Sequence, residues 1–195
     1  RMVGVDISER MVARSKDRAK RRGIETRLEF RLADAQHLPF DDAVFDAVID
    51  ESVTAFVKDK QRAIGEYVRV AKPGGYVGLN EATWIKTPSP ELVKYVTLIM
   101  AGADFLISNG WKELLEGSGL REIEVRNYKV DARSQYIEEI RQLDLREYVR
   151  AWHRFLTQSI VNPAYRKFAK EVLSTPKNIF KFMECIGYGI YVGRR

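Results

Sequence analysis

RMVGVDISERMVARSKDRAKRRG (Arg1–Gly23) contains one complete strand-to-helix connection, and this connection decides the fold. Arg1–Asp6 is a short apolar stretch that ends in an acid, which is typical of a strand. Ser8 is a suitable N-cap for a helix whose apolar face begins at Met11. Basic residues followed by Gly23 are typical of a helix C-terminus. The stretch therefore predicts a strand, an acid at its carboxyl end, and a helix.

The same alternation continues through the first half of the chain. Apolar or alternating stretches predict strands at Arg27–Asp34, Phe45–Ser52 and Tyr76–Trp84. Apolar spacing predicts a helix over Lys58–Lys72, and proline and glycines predict a turn over Lys72–Gly75. Strands that alternate with helices indicate an α/β fold with a doubly wound, mostly parallel sheet. Ligands bind such sheets beyond the carboxyl ends of the strands. Five acids lie at predicted strand ends: Asp6, Asp34, Asp50, Glu51 and Glu81.

The second half is richer in helix. A helix, a glycine turn and a strand are predicted over Asn109–Val130, and a closing strand over Ile186–Arg195. Ser134–Cys185 is a long, mainly helical stretch with aromatic residues at helical spacing. We therefore predict a core, a helical insertion and a closing strand of the core, over residues 1–130, 131–185 and 186–195.

Composition limits the class of protein. The chain has 195 residues, of which 45% are hydrophobic and 31% charged, as in a soluble globular protein. Its single cysteine, Cys185, excludes a disulfide within the chain and a cysteine-based metal site, so we predict no metal and a reducing, cytoplasmic setting. No apolar run approaches the ~20 residues needed to span a bilayer. The formal charge of +6 permits contact with nucleic acid but does not require it.

Three segments, taken together in this order, carry a family resemblance. They are VGVDIS (Val3–Ser8), LADAQHLPFDDAVFDAVIDES (Leu32–Ser52) and YVRVAKPGGYVGLNE (Tyr67–Glu81). Their order and spacing resemble the class I S-adenosylmethionine-dependent methyltransferases, most closely the small-molecule branch that includes quinone- and sterol-type enzymes. The resemblance implies methyl transfer from S-adenosylmethionine to a small acceptor by in-line displacement, and the aromatic residues of the second half would suit an apolar or aromatic acceptor.

One part of the family pattern has no counterpart in this chain. In the family, the first strand ends in a glycine-rich loop that wraps the methionine part of the cofactor, and no segment here matches that loop. The resemblance implies that Arg1–Asp6 corresponds to the second strand of the family. Since the family's first strand lies in the middle of the sheet, we expect a sheet without it to have unpaired edges and a divided core. A trimmed chain is the first interpretation, and a rearranged sheet is the alternative.

The resemblance also implies a set of cofactor-binding residues. Asp6 is expected to accept hydrogen bonds from both ribose hydroxyls, because a carboxylate offers two acceptor oxygens to a vicinal diol. Ile7 and Met11 are expected to lie against adenine. Asp34 is the candidate partner of the adenine amino group, and Ala35 is expected to offer its backbone N–H to the ring.

The candidate catalytic residues are less well defined. Asp50 or Glu51, at the end of a predicted strand, could hold the methionine ammonium group, orient the acceptor or act as a base. His153 could act as a base for an acceptor hydroxyl. The alternative for an acid at a strand end is a helix N-cap or a loop charge, and for a histidine beside aromatics it is a packing role. A base is needed only when the acceptor loses a proton during attack.

The helical insertion could be a lid over the acceptor or a packing surface, including one for a homodimer. Three other aromatics, Trp84, Tyr95 and Trp111, are candidates for the opposite wall of the acceptor pocket. Two rival functions remain: an RNA or protein methyltransferase that docks through basic helices, and a non-catalytic scaffold with the same fold. The apolar residues proposed for the lid are Tyr136, Ile137, Ile140, Leu143, Tyr148, Val149, Trp152, Phe155 and Leu156.

Overall fold

The computed structural model describes residues 1–129, 145–173 and 184–195. The strands are β1 (Met2–Asp6), β2 (Leu28–Leu32), β3 (Phe45–Glu51), β4 (Ala71–Trp84), β5 (Leu106–Ile107), β6 (Arg121–Lys129) and β7 (Ile186–Arg194). The helices are α1 (Glu9–Arg21), α2 (Lys60–Val70), α3 (Pro90–Ile99), α4 (Ser108–Gly117), α5 (Leu145–Val161) and α6 (Pro163–Leu173). The predicted α/β fold is confirmed, and each predicted strand is present within a few residues of its expected bounds.

The chain forms two compact units. The first contains Arg1–Thr83, Asp104–Asn127 and Gly189–Arg195. The second contains Trp84–Ala103 and the described residues of Tyr128–Tyr188. All of the strand-end acids singled out in the sequence belong to the first unit.

Helix α1 begins and ends where the sequence predicts. Ser8 is its N-cap and accepts a hydrogen bond from the Met11 N–H at 3.4 Å. Basic residues occupy the last turn, where positive charge interacts favourably with the helix dipole. Gly23 follows with φ +64°, a left-handed conformation that suits glycine. Local capping therefore sets the position of α1 directly behind the carboxyl end of β1.

The strands of the first unit lie in two sheets. β1 and β2 form a parallel pair in which Asp6 is opposite Leu32. The other sheet has the order β3-β4-β7-β6, with β5 paired to β4 and with β3 parallel to β4. Large apolar side chains are exposed in both sheets, including Met2 of β1 at 63% and Ile49 of β3 at 70%. The described strands thus show the divided sheet that the sequence led us to expect.

The predicted turn at Lys72–Gly75 lies inside β4 and not before it. Phe45 is opposite Ala71 while Ala47 is opposite Tyr76, so β4 bulges between these pairs. Gly74 has φ +77°, and a Cβ on Gly75 would lie 2.8 Å from the Asp46 carbonyl oxygen. The bulge therefore needs these glycines. It allows β4 to pair with β3 at Ala71, before the predicted turn, and again from Tyr76 onward.

The core of the first unit forms around α2, α4 and β4. Ile64, Leu79 and Trp111 are at most 1% exposed. The Trp111 ring lies 6.3 Å from the Tyr191 ring, and its Nε1–H donates to the Ala82 carbonyl at 3.3 Å. Trp111 is thus a core residue, and its predicted place in a pocket wall is wrong because its large apolar ring is fully buried.

The second unit contains α3, α5 and α6. The Tyr128 and Tyr188 rings stack at 4.9 Å, and the Trp152 and Phe155 rings meet edge to face at 5.9 Å. On α5, Tyr148, Val149, Trp152 and Leu156 are exposed. The lid role stays a prediction, and Tyr136, Ile137, Ile140 and Leu143 lie outside the described residues. In the described ranges, no helix has both the length and the apolar character needed to cross a membrane.

Candidate functional site

Acidic residues collect at the carboxyl ends of three strands in the first unit. Asp6 is the last residue of β1, and Asp34 follows β2 by two residues. Asp50 and Glu51 end β3. Because β1 and β2 are parallel, as are β3 and β4, each pair of strands ends at one edge of its sheet. This is the edge at which α/β folds bind ligands.

Asp6 is exposed at the end of β1. Its Oδ1 accepts a hydrogen bond from the Ser8 N–H at 2.8 Å, which fixes the carboxylate beside the start of α1. The neighbouring Ile7 is 73% exposed, and Met11 is half-buried. A fixed carboxylate beside accessible apolar side chains suits a nucleoside, which presents hydroxyls and a flat base. These three side chains fit the nucleoside part of the cofactor that the sequence implies.

Asp34 lies in the turn after β2. Its Oδ1 accepts from the Gln36 N–H at 2.9 Å, and both carboxylate oxygens lie 3.2 Å from the Gln36 side-chain nitrogen. These bonds hold the pKa of Asp34 below its usual value, with smaller contributions from His37 and Arg62. Ala35 is half-buried in the same turn. The turn therefore carries a stable negative charge at neutral pH.

Helix α2 anchors the loop that contains this turn. Glu66 accepts from the Leu38 N–H at 2.7 Å. Arg69 donates to the carbonyls of Leu38 at 3.0 Å and Phe40 at 2.7 Å, and it also bonds Glu66 at 2.7 Å. The His37 ring contacts the Arg62 guanidinium on the same helix. These side-chain contacts thus hold the loop after β2 against α2.

Asp50 is buried, with 4% of its surface exposed. Its Oδ2 accepts from the Thr54 hydroxyl at 2.8 Å and from the Thr54 N–H at 3.4 Å. The Thr54 hydroxyl lies 3.2 Å from the Tyr67 hydroxyl of α2. Burial raises the pKa of Asp50, and the hydrogen bonds oppose this shift. Asp50 therefore organises the single 3₁₀ turn, Thr54–Phe56, that follows β3.

Glu81, in β4, is completely buried. Its Oε1 accepts from the Ala55 N–H at 3.1 Å, in the same turn that Asp50 holds. Burial and the nearby Asp50 raise the pKa of Glu81 to about 9. Glu81 was recognised in the sequence only as another acid near a strand end. Its position inside a strand of core residues was the available signal.

Glu51 faces solvent on the opposite side of β3 from Asp50. Its Oε2 accepts from the Asn80 side-chain nitrogen at 3.1 Å. The next residue, Ser52, has φ 54°, which is uncommon for a residue with a Cβ. The Ser52 N–H donates to the Asn80 carbonyl at 2.9 Å, which helps to hold this conformation. Such strain at the end of a strand is frequent in ligand-binding loops.

His153 lies in the second unit, on α5. It is exposed, and its backbone carbonyl accepts a hydrogen bond from the Thr157 hydroxyl at 2.9 Å. Its predicted catalytic role stays a prediction. Within residues 1–129, 145–173 and 184–195, no group of three or more His, Cys, Asp or Glu residues is arranged to hold a metal ion.

A cleft of about 420 Å³ lies elsewhere in the first unit. Its lining includes Lys16 and Ala19 of α1, and Leu28, Glu29 and Phe30 of β2. Leu28 is at the amino end of its strand, so this cleft lies away from the strand-end acids. We therefore assign no role in ligand binding to it.

Comparison with known proteins relates part of the chain to methyltransferases. Residues 1–79 match the family described as a methyltransferase domain. A 27-O-demethylrifamycin SV methyltransferase from Amycolatopsis mediterranei is 36% identical over 89 residues, which cover 46% of this chain and 32% of that protein. An uncharacterized Haemophilus influenzae protein is 29% identical over 124 residues, covering 62% of this chain and 49% of that protein. The chain thus matches half or less of the length of these two curated relatives.

Solved structures agree at the level of the fold. The [4+2]-cyclase SpnF has a TM-score of 0.73 and 25% identity, covering 99% of this chain and 65% of that chain. Phosphoethanolamine N-methyltransferase 2 of Haemonchus contortus, in complex with S-adenosyl-L-methionine, has a TM-score of 0.68 and 21% identity. The match covers 99% of this chain and 43% of that chain. Residues 1–79 thus match a methyltransferase domain, and the chain as a whole has the fold of these solved structures. Residues 1–79 are therefore the part of the chain in which we look for an S-adenosylmethionine site.

Proposed function

We propose that this protein transfers a methyl group from S-adenosylmethionine to a small, apolar or aromatic acceptor. The observation that carries the proposal is the fixed, exposed carboxylate of Asp6 at the carboxyl end of β1, inside the matched methyltransferase domain. The relative from Amycolatopsis mediterranei is named as a rifamycin methyltransferase, which supports a small-molecule acceptor.

The first unit supplies the groups that would hold the cofactor. Asp6 accepts hydrogen bonds from the ribose hydroxyls, and Ile7 and Met11 lie against the adenine ring. Asp34 accepts from the adenine amino group, and the Ala35 N–H donates to the ring. When bound, S-adenosylmethionine supplies an electrophilic methyl group on a sulfonium, so the protein has mainly to align the acceptor and exclude water.

The acids at the end of β3 are assigned to the part of the site that holds the methionine group and the acceptor. Glu51 is accessible and either holds the methionine ammonium group or orients the acceptor. Asp50 is buried among hydrogen bonds to the following turn, which favours a supporting role over direct contact. An acceptor that must lose a proton needs a base, and His153 remains the candidate for that role.

The test is calorimetric titration of S-adenosylhomocysteine into the chain and into the longest form of the protein that its gene encodes. We expect Asp6→Asn to weaken binding about 10-fold or more, because hydrogen bonds to a charged group contribute about 1.5–3 kcal/mol. Asp17→Asn, an exposed acid on α1, is the matched control and should bind as the unaltered protein does. Wild-type protein that is folded yet binds no cofactor in either form would contradict the proposal and favour the scaffold.

A further inference from the structure

Asp50 and Glu81 form a buried carboxyl pair in the first unit. Asp50 is 4% exposed and Glu81 is 0% exposed, and they accept hydrogen bonds from the N–H groups of two consecutive residues, Thr54 and Ala55. A hydrogen bond between carboxyl groups requires a proton on one of them. Two buried carboxyls held this close favour one shared proton over two full negative charges.

The surroundings of the pair lead to the same conclusion. The strongest influences on the two carboxyls are burial, each other, and donors from the Val53, Thr54 and Ala55 segment, none of which is cationic. Two negative charges repel strongly when they lie so near each other, are out of water and have no cation beside them. A shared proton removes this repulsion and leaves a single charge that the turn after β3 can solvate.

The hydrogen bonds indicate which oxygen carries the proton. Glu81 Oε1 accepts from the Ala55 N–H, whereas Glu81 Oε2 is buried and has no donor among the described residues. A buried carboxylate oxygen without a donor is costly. An O–H at Oε2 is instead a donor, and Asp50 is its acceptor. Asp50 stays ionised because the Thr54 hydroxyl and N–H already donate to it.

We propose that Asp50 and Glu81 share one proton, and that protonated Glu81 is a positioning residue for the Asp50 carboxylate and the turn after β3. Through Ala55, Thr54 and Asp50, the pair connects β4 to the Thr54–Phe56 turn. The shared proton stands independently of the proposed function. The positioning role in methyl transfer rests on that function, because the turn borders the carboxyl end of β3.

The other titratable groups near the pair reinforce the single charge. Tyr67 of α2 faces Thr54, and burial together with the charge of Asp50 raises its pKa well above the ordinary value. Tyr191 of β7 is also within electrostatic reach of Glu81, and burial raises its pKa. Both phenols therefore stay neutral, and Asp34 contributes further negative charge near Tyr67. The phenols therefore supply no cation to offset a second charge on the pair, and the negative charge of Asp34 disfavours one.

Infrared difference spectroscopy across a pH titration tests the proton directly. The carbonyl stretch of a protonated carboxyl lies at higher frequency than that of a carboxylate. We expect this band in the wild-type protein at neutral pH, its loss at alkaline pH, and its absence in Glu81→Gln. Asp46→Asn, which removes an exposed acid from β3, the strand that holds Asp50, should keep the band. No band at neutral pH in the wild type, or an unchanged band in Glu81→Gln, would overturn the proposal.

Asp50→Asn is a second variant that tests the shared proton if Glu81→Gln does not fold. Removing the neighbouring charge should shift the loss of the Glu81 band to lower pH by about one unit or more. An unchanged midpoint in Asp50→Asn would show that the carboxyls do not share a proton.

The positioning role needs a second readout. Wild-type affinity for S-adenosylhomocysteine should fall over the pH range in which the band is lost, whereas Glu81→Gln should show no such fall. The same fall in both proteins would overturn the positioning role. If the wild type shows the band but binds no S-adenosylhomocysteine at any pH, the proposed function fails and the shared proton stands.

Discussion

At the scale of single residues, burial of Glu81 has a consequence for stability. The pKa of Glu81 is about 9 in the folded protein, above its ordinary value near 4.5. Between these values the folded protein holds a proton that the unfolded chain releases. Stability therefore falls as pH rises through this window, by at most about 1.4 kcal/mol per pH unit. The raised pKa of Asp50 acts in the same direction at lower pH.

We expect Glu81→Gln to flatten this dependence, because an amide does not ionise over the same range. Urea unfolding of both proteins at several pH values from about 5 to about 9 measures the difference. The wild type should lose stability relative to the variant as pH rises. A constant difference between the two proteins across the window would contradict the prediction.

At the scale of elements, α2 stabilises the loop after β2 through Arg69. The Arg69 side chain is 29% exposed and its partner Glu66 19% exposed, while Lys72 and Asp46 are 46% and 91% exposed. We expect Arg69→Met to cost about 1.5–3 kcal/mol, because it removes charge-assisted hydrogen bonds in a partly buried site. Lys72→Met should cost under about 1 kcal/mol, because exposed ion pairs contribute little.

Thermal or urea unfolding gives the free energies, and hydrogen exchange of residues 36–40 shows whether the loss is local. Equal effects of Arg69→Met and Lys72→Met would show that the loop is held by other contacts.

Local patterns predicted the elements well, and non-local contacts explain the differences. The Ser8 cap and the strand ending at Asp6 depend on residues close in sequence, and both are present as predicted. The bulge in β4 depends on pairing with β3, which local turn signals do not include. In β3, Asp50 faces the core while Ile49 is 70% exposed, the reverse of their hydrophobic preference. The hydrogen bonds of Asp50 with the following turn help to make this orientation favourable, and so does the divided sheet that leaves β3 at an edge.

At the scale of the whole molecule, the divided sheet predicts uneven stability. Val5 and Leu32, in the β1–β2 pair, are 37% and 50% exposed, whereas Val77 and Leu79 of β4 are at most 1% exposed. Segments with little buried apolar surface open at lower free energy. Native-state hydrogen exchange should therefore show weaker protection of β1 and β2 amides than of β4 amides. Equal protection in both sheets would show that the two sheets unfold as one unit.

Two loops are anchored on α2, so the ordering of one loop affects the conformational entropy of the other. Arg69 and Glu66 hold the loop after β2, and Tyr67 meets the turn after β3 through Thr54. A molecule that orders one loop also restrains α2, and so lowers the entropy that remains to be lost when the other loop is ordered. Successive ligands at these two loops should consequently bind with positive cooperativity, even where they never touch.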